Sequence, residues 1–577
     1  METRKKVPGA RSLLLLEFAS SERWVYNSRY YPFLKGAAEK LGITVKWLCF
    51  GAETSMVKTG RGQVRRYRDL PPQDLAVLRW QAAALRPTPI LLRHPVSKAV
   101  QDCLARAAGG RPRWRAMSDL PAAHEGPQVD TLPGLAKKTE QAGEPDAVAA
   151  RTDWLLDWLG EKSSADRGRF LVDAFRPSYD VVVGNEAFRK NVPHILIMGG
   201  VICDHTRKLK DNEFYRELDS SACSHDFGCG FCTHYRGPTS DPRQDPVAVA
   251  AEQFRRLRRT SGRDGRDCGA FDVCDIRLFR CLDRFFAMVF KVGLGPSTFF
   301  FEPRIDRFLQ GAGALEKALP GLRRRGHKVA ILRMGAETLV QEENDFYNKG
   351  ITLAQIDAAT RRLRALAEKF PENFQYDPSY GHITCSPWTT LETFATGVER
   401  AIARGFDPKG VWLYTPLILY RSAPLTQLAR RQGAVIAGAV PDLALLYEPS
   451  VNECPFDTIL PWRFKDERMA AAFALIVRFC AAALRGRYSD ALFRGDRLYA
   501  RMLRWAQRPA FYGRPDLFAR EVIAAVKSAR PPFRKSALLQ TAWESYAALD
   551  RDELEFRARL SRPTAGKETY YGDSQEA

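Results

Sequence analysis

Short apolar runs alternate with longer stretches of helical period along most of this chain, and that alternation confines it to an α/β architecture with parallel sheets. In a first block, residues 11–206, strand-like runs fall at 12–18, 44–49, 89–92, 180–184 and 194–198, separated by amphipathic stretches such as 32–41 and 75–85. Five strands of this kind predict a doubly wound, Rossmann-like sheet. Between about 108 and 150 the periodicity lapses into Gly, Pro and charged residues, which reads as an inserted surface loop. A second block, residues 211–440, carries apolar runs at 270–276, 298–301, 329–332, 382–385 and 411–413, each followed by helix-period sequence. Such units predict a partial or full β/α (TIM-like) barrel, whose ligands gather at the C-terminal ends of its strands. From 445 to 577 helical patterns take over, at 467–484, 517–527 and 537–549, before a polar tail that is expected to fray.

The cysteines add chemistry to this frame. Cys223, Cys229 and Cys232 lie in Cys-Ser-His-Asp-Phe-Gly-Cys-Gly-Phe-Cys, a C-x5-C-x2-C spacing on a Gly-containing loop. Three thiolates so placed can hold three irons of a [4Fe–4S] cluster and leave the fourth open to a substrate or cofactor. His225 or His234 could instead complete a Cys3His zinc site with the same thiolates, and the triplet alone serves either metal. Disulfide pairing fits poorly, because 12 cysteines in 577 residues are sparse. The four leucines 13–16 are the one apolar block near the N-terminus, too short for a signal core or a membrane span. The chain therefore reads as cytoplasmic, where Cys clusters bind metal. Cys49, Cys103 and Cys203 are too scattered for a second cluster, and only Cys454 and Cys480 follow residue 440. Cys274, Cys281, Cys385 and Cys480 sit in apolar patterns, as small buried residues do.

Composition supports a large globular enzyme: 45% hydrophobic, 11% aromatic and 27% charged residues, at a length that predicts three or four domains. The net charge of +21 comes from 88 Lys and Arg against 67 Asp and Glu. A zinc-stabilised basic protein that binds nucleic acid is the competing class. Against it, the basic residues are scattered, as in Arg323-Arg324-Arg325, and no aromatic-interleaved basic motif occurs.

Further motifs follow the cysteines in order. Phe231 precedes the third cysteine; Arg304-Ile305-Asp306 follows the run at 298–301; Arg333-Met334-Gly335-Ala336-Glu337-Thr338 follows the run at 329–332, with Asn348-Lys349-Gly350 after it. Pro387-Trp388-Thr389-Thr390 and Ala423-Pro424-Leu425 come next. Upstream, Gly184-Asn185 and Gly199-Gly200 close two strand-like runs. In this order the motifs resemble those of radical S-adenosylmethionine (SAM) enzymes that carry a cobalamin-binding domain, over about residues 11–440.

The resemblance implies a cobalamin-binding domain, a radical SAM barrel and a helical C-terminal region. Cys223, Cys229 and Cys232 would hold a [4Fe–4S] cluster that cleaves SAM reductively to a 5′-deoxyadenosyl radical. Phe231, Asp275, Arg304, Arg333 and Glu337 would meet SAM, and Trp24, Tyr26, Asn185, Gly199 and Gly200 would meet cobalamin. Methylation of an unactivated carbon of a small molecule is the implied outcome, with a rearrangement or cyclisation without methyl transfer as the alternative. An external electron donor of flavodoxin or ferredoxin type is implied as a partner, and no membrane. Two departures stand out: the family's usual spacing is C-x3-C-x2-C, and Asp204-His205-Thr206-Arg207 does not match its D-x-H-x-x-G cobalt-ligand motif.

Overall fold

A computed structural model of the chain describes residues between Ser12 and Leu549. Outside the described residues lie 1–11, 20–34, 117–181, 184–193, 198–202, 233–244, 437–458, 484–494 and 550–577, with shorter stretches such as 108–112, 220–222, 274–275, 333 and 378–380. The chain divides into two compact units. One comprises Met1–Thr206, Thr233–Leu332 and Arg362–Tyr376; the other comprises Arg207–Cys232, Arg333–Arg361 and Asp377–Ala577.

The first unit contains two five-stranded parallel sheets. Strands β1 (Ser12–Ala19), β2 (Thr44–Gly51), β5 (Pro89–Leu92), β6 (Arg113–Ala116) and β7 (Val182–Val183) run in the order β6-β5-β1-β2-β7. Leu13, Leu14, Leu15 and Leu16 are all fully buried, as a central parallel strand covered on both faces requires. Leu14, Leu16, Leu48, Phe50 and Ile90 pack against Leu78 of helix α1 (Pro72–Leu85) and Val100 and Leu104 of α2 (Lys98–Ala107). Strand order reverses between β1 and β5, the crevice where open α/β sheets bind ligands. An antiparallel hairpin, β3 (Glu53–Lys58) with β4 (Val64–Asp69), was not expected from the sequence.

The second sheet holds β8 (His194–Ile197), β9 (Ala270–Val273), β10 (Thr298–Phe301), β11 (Lys328–Ile331) and β12 (Phe374–Tyr376) in the order β12-β11-β10-β9-β8. Helices α3 (Pro246–Asp264), α4 (Leu282–Val292) and α5 (Ile305–Arg324) alternate with the strands, and α6 (Gln341–Phe346) and α7 (Leu353–Lys369) separate β11 from β12. Such consecutive order is that of a β/α barrel wall, not of a doubly wound sheet. Its core is aromatic: Phe271 and Phe299 stack at 5.6 Å, and Phe254 meets Phe271 edge-on at 5.0 Å.

The fold departs from the sequence-based expectations at four places. Residues 194–197 pair with β9 and not with the first sheet, because an apolar run records burial but not which neighbour its main chain will meet. Residues 113–116, inside the expected inserted loop, form a strand with β5, since ladder hydrogen bonds come from the backbone and need no apolar signature. The run at 382–385 makes only isolated bridges, Glu337 with His382 and Cys385 with Pro416. There the positive φ values of Glu337 and Gly381, 54° and 58°, interrupt a regular ladder. The run at 411–413 lies in a 3-10 turn, Val411–Tyr414, and the fifth strand of the sheet is instead the three-residue β12.

In the second unit, α8 (Leu391–Ala403) starts at a capping box formed by Thr390 and Thr393, α9 (Pro424–Arg431) follows, and β13 (Leu419–Tyr420) pairs with β14 (Ile459–Leu460). The helical region expected after 445 is there as α10 (Glu467–Ala483), α11 (Arg497–Ala506), α12 (Pro515–Ser528) and α13 (Lys535–Ala547). Phe479 and Phe518 stack at 3.8 Å, as do Trp505 and Trp543 at 4.2 Å. Cys385 and Cys480 are buried as expected, whereas Cys281 is partly exposed and Cys274 lies outside the described residues. Among the described residues no helix is long and apolar enough to cross a membrane.

Candidate functional site

The cysteine loop belongs to the second unit, and polar contacts from distant segments define its path. Phe227 bridges Lys208 in antiparallel fashion, with Leu209 N–H donating to Asp226 O at 2.8 Å and Gly228 N–H to Arg207 O at 2.8 Å. Asn348 Nδ2 donates to Gly228 O at 2.7 Å and to Arg207 O at 3.2 Å, so one side chain clamps both segments joined by this bridge. Asn348 itself has φ 55°, a left-handed conformation that Asn tolerates better than most residues. Asn212 braces it from behind, with Nδ2 donating to Asp345 O at 2.7 Å and to Asn348 Oδ1 at 3.3 Å.

Gly230, between the second and third cysteines, is held on both sides by main chain. Its N–H donates to Tyr347 O at 2.9 Å, and its carbonyl accepts from Leu425 N–H at 2.8 Å, at the start of α9. A Cβ at this position would lie 2.6 Å from Tyr215 Cζ, so only glycine lets the loop lie against this ring. Tyr215 is buried and donates from Oη to Phe346 O at 2.8 Å. Burial pushes its phenol well above the usual range, and charge on Cys229 or Cys223 would push it further.

Cys223 and Cys229 are buried and Cys232 is partly exposed. Burial, reinforced by the charge of Asp219, pushes the Cys223 thiol up to about 11. Among the described residues no three His, Cys, Asp or Glu side chains stand at metal-holding distance. The donor chemistry nevertheless fits a cluster: three thiols on one pinned loop are the donor set of iron–sulfur ligation, and such a thiol surrenders its proton when a metal replaces it. His225 is buried and its Nε2 lies 3.1 Å from Cys229 O. Burial lowers its pKa more than that bond and Asp226 raise it.

Phe231, in the loop, and Glu337, beside it, are joined by Lys349. Lys349 Nζ pairs with Glu337 Oε1, both side chains largely buried, and lies 5.9 Å from the centroid of the Phe231 ring. Phe231 also meets Tyr347 edge-on at 5.7 Å. Glu337 has φ 54° and Gly335 φ 56°; a Cβ on Gly335 would come within 2.9 Å of Glu337 Oε1 and 3.0 Å of Lys349 Nζ. Behind this pair, Glu343 accepts from Thr338 Oγ1 at 2.7 Å and from Thr389 Oγ1 at 2.6 Å, tying the loop after β11 to the loop that starts α8. Burial raises the Glu343 carboxyl despite those two donors.

The remaining predicted residues are distributed differently. Arg304, assigned to the first unit, is buried at the N-cap of α5, and its Nε donates to Asp306 Oδ1 at 3.0 Å. The Arg-x-Asp pattern thus closes on itself. Asp275, Arg333, Trp24, Tyr26, Asn185, Gly199 and Gly200 lie outside the described residues. Trp24 and Tyr26 do follow β1, the strand at the switch point of the first sheet, whereas Gly199 and Gly200 follow β8 of the second sheet. Tyr215, Asn212 and His382 belong to no motif read from the sequence; only their packing identifies them.

No family model matches the sequence, and no curated protein matches it. Among solved structures the chain is similar to apo OxsB, described as a cobalamin-dependent S-adenosylmethionine radical enzyme, at 10% identity and TM-score 0.43 over 93% of this chain and 75% of that one. It is also similar to TsrM from Kitasatospora setae, a radical SAM methyltransferase with tryptophan and a SAM analogue bound, at 12% identity and TM-score 0.43 over 96% of this chain and 100% of that one. TsrM with cobalamin and a [4Fe–4S] cluster gives 12% identity and TM-score 0.41, over 86% and 99%. At these values the functional reading rests on the chain's own residues.

Proposed function

We propose that this chain is a cobalamin-dependent radical SAM enzyme that methylates an unactivated carbon of a small-molecule substrate. What supports the reading is the meeting of sequence motifs at one loop. The Asn348-Lys349 segment and the start of α9 at Leu425 both touch the cysteine loop, Lys349 lying 5.9 Å from the ring of Phe231 within it. Cys223, Cys229 and Cys232 would hold the [4Fe–4S] cluster. Phe231, Glu337 and Arg304, with Asp275 and Arg333, are the candidates for SAM, and Trp24, Tyr26, Asn185, Gly199 and Gly200 those for cobalamin. When bound, the cluster supplies the electron that cleaves SAM and cobalamin carries the methyl group, difficult chemistry that belongs to cofactors and not to side chains.

The protein's share is ligation, orientation and exclusion of water. Three thiols, two of them buried, on a loop fixed by Asn348 and Gly230 provide the first. The Glu337–Lys349 pair, held by a left-handed turn, offers one carboxylate and one ammonium of matched charge beside that loop. A zwitterionic ligand such as the methionyl end of SAM could exchange with that pair, its ammonium meeting Glu337 and its carboxylate Lys349.

Anaerobic reconstitution with iron, sulfide and cobalamin, followed by SAM and reductant, tests the reading. About four irons per chain and S-adenosylhomocysteine with a methylated product are expected. Changing Cys223, Cys229 and Cys232 together to Ala should remove the iron. A colourless protein with one zinc would overturn the proposal, and 5′-deoxyadenosine formed without methyl transfer would replace methylation by a rearrangement.

A further inference from the structure

The C-x5-C-x2-C loop is longer between its first two cysteines than the spacing it resembles, and the added length has a definite use. Residues 226–228 run antiparallel to 207–209 through one isolated bridge, with His225 immediately before them. From there the buried His225 ring reaches Cys229 O, with Nε2 at 3.1 Å, and meets the Phe227 ring edge-on at 6.3 Å. The same carbonyl accepts Cys232 N–H at 3.1 Å, the bond that closes the turn between the second and third cysteines. A carbonyl oxygen can only accept, so His225 must carry its proton on Nε2 and donate it.

We propose that His225 is a positioning residue: through the Cys229 carbonyl it fixes the turn that presents Cys229 and Cys232, and it is not itself a ligand. The long first gap thus carries its own brace, the His225 ring against the Cys229 carbonyl. Groups that orient ligands in this way govern metal retention without touching the metal. The inference rests on the cluster reading above.

The test uses full-length reconstituted protein and follows iron loss to a chelator, together with the electron paramagnetic resonance spectrum of the reduced protein. His225→Leu keeps bulk without a donor, and should lose iron about tenfold faster with a changed spectrum. His225→Gln places an amide N–H near the Nε2 position, and should stay within about twofold of the wild-type rate. His225→Asn, polar but too short to reach, should behave like His225→Leu; it separates loss of the bond from loss of folding, which circular dichroism monitors. Unchanged iron retention in both His225→Leu and His225→Asn overturns the inference while leaving the cluster reading intact. Nitrogen hyperfine coupling from an imidazole in the wild type, lost in all three variants, would overturn it by making His225 a ligand. Wild-type protein that takes zinc and no iron overturns the function and this inference together.

Discussion

Phe299 in the second sheet and Gly230 in the cysteine loop both sit at points where distant segments meet, yet they are held by opposite means. Phe299 is fully buried among the rings of Phe254, Phe271, Phe285 and Phe286, with the His327 ring edge-on at 5.7 Å, and its side chain makes no hydrogen bond. Gly230 has no side chain, and its place is set by two main-chain hydrogen bonds and by the hydroxyl-bearing edge of Tyr215. The sheet is tolerant in detail, because many apolar residues of similar volume can fill it. The loop is not, since each of its bonds needs one donor, one acceptor and one backbone conformation. A site that must hold several ligands in fixed geometry is better served by the second kind of construction.

Substitutions at Phe299, His382 and Gly230, the last combined with changes at Tyr215, probe that contrast. Phe299→Ala should cost about 3–5 kcal/mol in chemical denaturation followed by circular dichroism, the usual price of a large cavity in a dry core. A loss below about 1 kcal/mol would mean that the aromatic cluster is not what holds the sheet.

His382 is an intermediate case, a polar ring packed edge-on between Phe406 and Trp412 at 5.9 Å from each. Burial lowers its pKa from 6.5 to about 4. The folded protein thus resists protonation of this ring more than the unfolded chain does. Its contribution is intact above pH 6.5 and fades as the pH falls toward about 4, amounting to at most about 3 kcal/mol. His382→Leu should flatten the loss of stability between those pH values; an unchanged acid limb in urea titrations would show the slot to be solvated.

Gly230→Ala should cost about 1–3 kcal/mol through overpacking and speed iron loss, with little change in overall secondary structure. Tyr215→Ala should relieve much of that effect in the double variant, while Tyr215→Phe should not, because Cζ remains 2.6 Å from the added methyl group. If Gly230→Ala is silent, the loop is not pinned against the ring.

The same contrast explains what was legible beforehand. Strands β1, β2, β5, β9, β10 and β11 and helices α10, α12 and α13 announced themselves through runs and periods, because burial of apolar side chains is a local record of the core. Strand β12, three residues long, and β6, written Arg-Trp-Arg-Ala, left no such trace, and β8 showed an apolar run but not its partner. At the site, Cys223, Cys229, Cys232, Phe231 and Glu337 could be named from spacing and resemblance. Tyr215 could not, since nothing in Glu-Phe-Tyr-Arg distinguishes it from ordinary packing.

By itself, then, the amino-acid sequence determined the α/β class, the helical C-terminal region and the thiol triplet, because composition and periodicity are properties of neighbouring residues. Tertiary structure alone decided that β8 belongs to the second sheet, that Glu337 pairs with Lys349, that Arg304 is taken up by Asp306, and that Asn348, 120 positions from Gly228, clamps the loop. Hydrogen bonds and ion pairs select partners by geometry across the folded chain, and that geometry exists only once the apolar segments have packed.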